Sequence, residues 1–223
     1  MPSLSMALCE DGVVQQIKGA RGTVNFTFDR GKPIFAEFSF KGGYVAPVDG
    51  GPLTATFDTK TPKGFQGIDM RLGSYVSGEP GYWSHTTAHV PGVVTANLDL
   101  GQTVNLKEDA TQTTGTYPIG HITERKAQGS IKVDTRPEGS FPFIAKLAGN
   151  TPFWMKIRIP GGANNCFLFS APGNAITGRS PTEQNNFGQA DIGFTMSALL
   201  PSGAESTDRE MVLSYHHAAG GTF

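Results

Sequence analysis

The sequence predicts an all-β fold, a β-sandwich or split barrel with one short flanking α-helix. Runs in which apolar and polar residues alternate recur along the chain, which is the pattern of half-buried strands. The 29 glycines and 15 prolines lie between these runs, where turns are expected. Strands with one polar face are typical of antiparallel sheets rather than buried parallel ones. The length of 223 residues suits a single domain over residues 1–223.

The clearest pair of strands is TVNFTF (23–28) followed by IFAEFSF (34–40), which both alternate apolar and polar residues. The intervening DRGKP (29–33) predicts a hairpin turn in which Gly31 supplies a positive φ. A second hairpin turn is predicted over PGGANN (160–165). Further strands are predicted over residues 94–100, 129–134, 153–159, 165–171, 190–198 and 209–215.

Two other stretches contain residues that are typical of the ends of a helix or a strand. GSFPFIAKLAGN (139–150) has helical spacing, with Ser140 as the predicted cap and Gly149 as the predicted stop. In FAEFSFKGGYVAPVDGGPL (35–53), the Gly42-Gly43 pair is expected to end the strand, and Pro47 is expected to turn the chain outward.

The charge composition favours no anionic partner. Charged residues are 17% of the chain and the net charge is -1, so no overall positive field attracts nucleic acid or an anionic membrane. GARG (19–22) lacks the Lys-Ser/Thr of a phosphate loop and is interpreted as a turn. Cys9 and Cys166 lie far apart and predict reduced thiols in a cytosolic product. Neither a signal peptide nor a membrane span is predicted.

The residues that could carry catalysis form no convincing set. His85 and His89 are four residues apart in a glycine-rich stretch, and His216 and His217 are near the C-terminus, so surface histidines are favoured over a metal site. Ser180 has no nucleophile-elbow context. We therefore expect no enzyme activity, no metal and no cofactor.

The least regular segment is residues 58–92, which we interpret as a long loop or insertion. Its aromatic residues Tyr75, Tyr82 and Trp83 are suited either to a sugar-binding platform or to a subunit interface. Trp154 lies within a predicted strand and is expected to be in the core.

The order of these elements resembles the tail tube (major tail) proteins of long-tailed bacteriophages, over most of the chain. Three stretches carry the resemblance: IKGARGTVNFTFDRGKPIFAEFSFKGGYVAPVDG (17–50), ITERKAQGSIKVDTRPEGSFPFIAKL (122–147) and SAPGNAITGRSPTEQNNFGQADIGFTM (170–196). The first is a glycine-rich entry into a hairpin, the second a strand followed by a helix, and the third a short strand before a long one.

The resemblance implies a virion protein that is made in the cytoplasm of a host bacterium and resides in the tail. Such subunits join into hexameric rings, and long strands of neighbours form one continuous inner β-barrel. The rings stack around a tape-measure protein, contact other tail proteins and conduct DNA at ejection without reading its sequence. A flexible, non-contractile tail is expected.

On this view, four polar residues are candidates for facing the lumen, where they would let DNA slide rather than bind: Glu37, Ser39, Gln189 and Asp191. Six residues are candidates for contacts between subunits or rings: Gly42, Gly43, Tyr44, Tyr75, Tyr82 and Trp83. Segment 58–92 is longer than the family pattern and is expected to be an inter-ring clasp or an outward decoration.

Three alternatives stay open at the level of the sequence. The first is a distal or minor tail protein of the same β-fold. The second is a carbohydrate-binding β-sandwich that uses Tyr82 and Trp83, and the third is a metal-dependent enzyme that uses His85 and His89.

Overall fold

The computed structural model confirms an all-β fold with one short helix, since strands account for 76% of the residues it describes. The structure describes residues 3–51, 67–74, 89–108, 110–111, 116–134, 141–160, 165–184, 187–197 and 210–217. The helix within these ranges is α1 (Phe143–Ala148). The strands are β1 (Leu4–Glu10), β2 (Val13–Asp29), β3 (Phe35–Asp49), β4 (Asp69–Ser74), β5 (Val93–Asp99), β6 (Gln102–Glu108), β7 (Thr116–Arg125), β8 (Gln128–Asp134), β9 (Phe153–Pro160), β10 (Asn165–Gln184), β11 (Phe187–Met196) and β12 (Val212–His217).

The chain divides into two compact units. The first consists of Met1–Asn25, Ala36–Thr61 and Leu100–Lys126. The second consists of Phe26–Phe35, Pro62–Asp99 and Ala127–Phe223. That residues 1–223 form a single domain remains a prediction.

The second unit is a curled sheet around an aromatic core. Its strand order is β2, β5, β8, β11, β10, β9 and β4, with β12 paired to β10. Phe28 of β2 and Phe169 of β10 are four strands apart in this order, yet their rings meet edge to face with centroids 5.2 Å apart. The sheet must therefore curl to bring these rings together. Phe153 and Phe194 extend the same core with an edge-to-face contact at 5.8 Å.

Asn174 is the buried polar residue that holds the irregular middle of β10. The pairing of β10 with β9 shifts register between Ala171 and Asn174. The Asn174 side-chain amide is fully buried and donates to the carbonyl oxygens of Phe153 at 3.0 Å and Ala171 at 2.9 Å. These bonds satisfy backbone carbonyls at the shift, where they would otherwise be costly to bury.

The first hairpin is confirmed, and so is the alternating burial of its first strand, whereas residues 35–39 of the second strand are all exposed. Val24, Phe26 and Phe28 are all buried, while the polar residues between them are half-buried. Gly31 has φ 77°, and the Lys32 amide donates to the Asp29 carbonyl at 3.0 Å to close the turn. The turn predicted at 160–165 joins β9 and β10, which do pair antiparallel, although residues 161–164 lie outside the described ranges.

The prediction that β3 ends at Gly42-Gly43 is wrong. The strand continues through both glycines and through Pro47 to Asp49. A Cβ at Gly42 would lie 2.8 Å from the Lys18 carbonyl oxygen, so glycine here permits a close approach of β3 to β2. Proline is tolerated because β3 is an edge strand, in which an N–H that pairs with no neighbour can be lost.

Two other stretches that were predicted to be irregular contain strand residues. GARG lies inside β2, and Gly19 has φ 60° where the β1–β2 register shifts, as in a β-bulge. The long loop predicted over 58–92 contains β4, which pairs with β9. GARG has no apolar alternation, and pairing with the neighbouring strand decides its structure. In β4 the buried Met70 and Leu72 alternate with Asp69 and Arg71, a strand pattern that the long-loop prediction overlooked.

The helix is confirmed, and its C-cap is the predicted Gly149, but its N-cap differs from the prediction. Its N-cap is Pro142, which makes no side-chain capping bond, and Ser140 lies outside the described residues. The residue with a left-handed conformation after the helix is Asn150 (φ 45°) rather than Gly149. Lys146 is buried with its Nζ 5.3 Å from the centroid of the Phe141 ring, and burial lowers the pKa of its amine.

We predict that Gly73→Ala destabilises the second unit. A Cβ at Gly73 would overlap the indole of Trp154 on the adjacent strand. Relieving that overlap should cost about 1–3 kcal/mol of unfolding free energy, measured by urea denaturation. The matched control is Gly178→Ala in β10, where a Cβ would meet nothing within 4 Å. Equal midpoints for the two variants would contradict this packing.

Candidate interaction surface

The first unit contains an antiparallel sheet in which β2 is the central strand. β1 pairs with the first half of β2, from Val13 to Ala20. β3 pairs with β2 through the hairpin, and Gly50 donates its amide to the Gly12 carbonyl at the far end. Since β1 and β3 both flank the same part of β2, they lie on opposite sides of it. Among the described strands, neither pairs with any strand except β2.

The side chains of β1 give this sheet one apolar side. Leu4 is opposite the buried Ala20 of β2, and Met6 is opposite Ile17. Leu8 follows on the same side, because side chains two residues apart in a strand share a face.

The side chains of β3 continue the apolar side across β2. A Cβ at Gly22 would lie 2.6 Å from Cδ1 of Phe40, so the Phe40 ring covers the Gly22 position. Phe38 stacks on Phe40 with ring centroids 5.9 Å apart and an interplanar angle of 5°. Gly22 and Ala20 share a face of β2, so these rings lie on the same side of the sheet as Leu4 and Met6. We call Leu4, Met6, Leu8, Phe38 and Phe40 the apolar face.

Most of the apolar face is exposed in the isolated chain. The exposed fractions are 48% for Leu4, 38% for Met6, 61% for Leu8 and 59% for Phe38. The buried apolar residues described in this unit are only Ala20, Val24 and Val104. Exposed apolar side chains clustered on one side of a sheet are typical of an interaction site.

The open edges of the sheet add hydrogen-bonding capacity to the apolar face. β3 has 15 residues, so its free edge is about 50 Å long. Natural proteins usually blunt a free edge with charges or proline. The sequence of β1, LSMALCE, has no proline, and its only charge is the terminal Glu10. By contrast, β4 carries an Asp69–Arg71 ion pair with a 2.9 Å separation.

The candidate lumen residues lie in different surroundings. Glu37 and Ser39 are exposed on β3, on the side opposite Phe38 and Phe40. Asp191 is exposed on β11, between Lys132 and Ser180 of the adjacent strands. Gln189 is only 6% exposed, and its Oε1 has no hydrogen-bond partner.

Three of the six candidate interface residues lie within the described ranges. Tyr44 is 62% exposed, whereas Gly43 is buried and Gly42 is half-buried beside β2. Three further candidates lie outside the described residues: Tyr75, Tyr82 and Trp83.

The residues considered for other functions do not converge. Trp154 is buried over Gly73, as predicted for a core residue, so it presents little ring surface to a ligand. His89 stacks on Phe141, and His85 lies outside the described ranges. No group of three metal-ligating side chains occurs among the residues that the structure describes. In the same part of the chain, no helix is long and apolar enough to cross a membrane.

Sequence reasoning missed β1 and therefore half of the apolar face. The signal was present, since Leu4, Met6 and Leu8 alternate with Ser5 and Ala7. This run is short and lies near residue 1, and its partner strand β2 was predicted to begin only after GARG.

Comparison with known proteins adds no relative. No model of a protein family matches the chain, and no curated protein matches it. A function has to be argued from the residues themselves.

We predict that the apolar face contributes little to the stability of the isolated chain. The double variant Leu8→Ser/Phe38→Ser should change the unfolding free energy by less than about 1 kcal/mol, because both side chains are exposed. It should also lower the binding of a hydrophobic dye such as ANS. Phe28→Ala in the core should cost about 3–5 kcal/mol. A double variant as unstable as Phe28→Ala would show that these residues are core residues.

Proposed function

We propose that this protein is a structural subunit that assembles with copies of itself into the rings of a bacteriophage tail tube. The observation that carries the proposal is the exposed apolar face between two open strand edges in the first unit. Burying apolar area and completing strand pairing are both favourable, and a second subunit can supply both.

Two different edges favour rings over closed dimers. A dimer with twofold symmetry uses one patch twice, whereas a contact between different patches repeats until it closes. In this sheet, β1 and β3 are different edges on opposite sides of β2. A contact between β1 of one copy and β3 of the next leaves one unpaired strand edge at each end of the joined pair. Further copies can therefore be added until a ring forms.

The polar side of the same sheet is suited to a lumen. Glu37 and Ser39 are exposed opposite the apolar face, and Asp191 is exposed on β11. Lys41 is exposed on the same side of β3, so this side carries charges of both signs. Its neutral and acidic groups repel DNA or bind it weakly, which suits passage rather than capture. The resemblance to tail tube proteins supports stacked rings, hexameric in that family's pattern, around a tape-measure protein, with DNA in transit.

We predict that the purified protein forms rings or hollow filaments of uniform width as its concentration rises. Negative-stain electron microscopy across a concentration series is the measurement. The variant Leu8→Lys/Phe38→Lys should abolish these assemblies, because charges buried in the contact would be costly. The matched control is Ile144→Lys, which alters an exposed apolar residue of α1 outside the apolar face.

Two results would count against the proposal. A wild-type chain that remains monomeric at every concentration would contradict self-assembly. Assemblies that persist in Leu8→Lys/Phe38→Lys but disappear in Ile144→Lys would place the contact at the helix instead.

A further inference from the structure

We infer that neighbouring subunits join by pairing β3 of one copy with β1 of the next, and that this junction is parallel. The inference rests on the proposed function and specifies the partner strand and its direction. Its basis is the direction of the strands in the first unit, the side on which their apolar residues lie, and the contrast with other open edges.

The strand directions follow from the order of the sheet. β1 and β2 are antiparallel. β2 and β3 are joined by the short hairpin at Gly31, so they are also antiparallel. β1 and β3 therefore run in the same direction on opposite sides of β2.

Ring symmetry carries this direction across the junction. Rotation about a ring axis changes neither the direction of a strand along the axis nor the side of the sheet that faces outward. When β3 of one copy meets β1 of the next, both strands run the same way. The junction is then parallel, with evenly spaced and slanted hydrogen bonds.

The apolar face supports this pairing. Leu4, Met6 and Leu8 of β1 are on the same side of the sheet as Phe38 and Phe40 of β3. A β3–β1 junction makes these residues one continuous apolar surface that runs around the ring. Pairing two copies of β3 would instead leave the exposed Leu4, Met6 and Leu8 away from the contact.

Other open edges are less suited to pairing. The half of β10 from Ala175 to Gln184 pairs with β11 and contains Pro181 and the charges of Arg179 and Glu183. These features discourage edge pairing. β1 is free of them except at Glu10, so β1 is the more suitable edge of the two. β3 does contain Pro47 near its end, and its charged residues Glu37 and Lys41 lie on the side opposite the apolar face.

Disulfide crosslinking tests both the partner and the direction. In a Cys9→Ser/Cys166→Ser background, one cysteine is placed on β1 at Ser5 or Ala7, and one on β3 at Glu37, Ser39 or Lys41. All of these sites are exposed and lie on the side opposite the apolar face. Mild oxidation of assembled protein, followed by non-reducing gel electrophoresis, should give a ladder of covalent oligomers in the matching combinations. Pairs with the β1 cysteine and Ser180→Cys on β10 are the control.

The direction of the junction follows from which β3 cysteine crosslinks best when the β1 cysteine is moved from Ala7 to Ser5. If Ala7→Cys crosslinks best with Ser39→Cys, a parallel junction requires that Ser5→Cys crosslinks best with Glu37→Cys. An antiparallel junction would give Ser5→Cys with Lys41→Cys and would overturn the inference. Dimers formed by Ser39→Cys alone would show a symmetric β3–β3 contact and would also overturn it.

The failure of this inference is distinguishable from failure of the proposed function. Rings of cysteine-free protein that give no β1–β3 crosslink in any combination would overturn the junction and leave self-assembly intact. The absence of rings from cysteine-free and wild-type protein would overturn the proposed function itself.

Discussion

The constraint on which this account depends is an apolar sheet face that the described chain leaves uncovered. Leu4, Met6, Leu8 and Phe38 are on one side of a sheet whose unit buries few apolar residues of its own. Exposed apolar area of this kind costs free energy in water, and covering it contributes roughly 25 cal/mol per Å². A second copy that pairs with a free strand edge covers the sides of these residues that border the edge, because side chains of adjacent strands contact one another.

The second unit has the opposite character. Its curled sheet encloses aromatic rings that contact one another edge to face, including Phe28 with Phe169 and Phe153 with Phe194. Its irregular strand β10 is held by a buried asparagine, whose side-chain amide donates to two backbone carbonyls. Such a unit is stabilised by its own core, whereas the sheet of the first unit has much less internal burial to stabilise it.

Strands that alternate strongly could be predicted from the sequence, because burial of one face determines which residues are apolar. The role of individual glycines was harder to predict, because glycine occurs both in turns and within strands. Gly31 makes a turn, but Gly42 lies within a strand and permits close backbone approach, and Gly19 forms a bulge. The apolar face was predicted only on β3, although Leu4, Met6 and Leu8 of β1 also alternate with other residues. Its other half depends on the pairing of β1 with β2, which is a contact between strands rather than a pattern within one.

Hydrogen exchange measured by mass spectrometry, on protein below and above its assembly concentration, tests the central claim most directly. Free edge amides exchange with solvent, and paired ones are protected. The account predicts that peptides covering β1 and β3 gain protection on assembly, while peptides covering β9 and the core half of β10 change little. Protection gained at β4 or β12 with no change at β1 and β3 would contradict it.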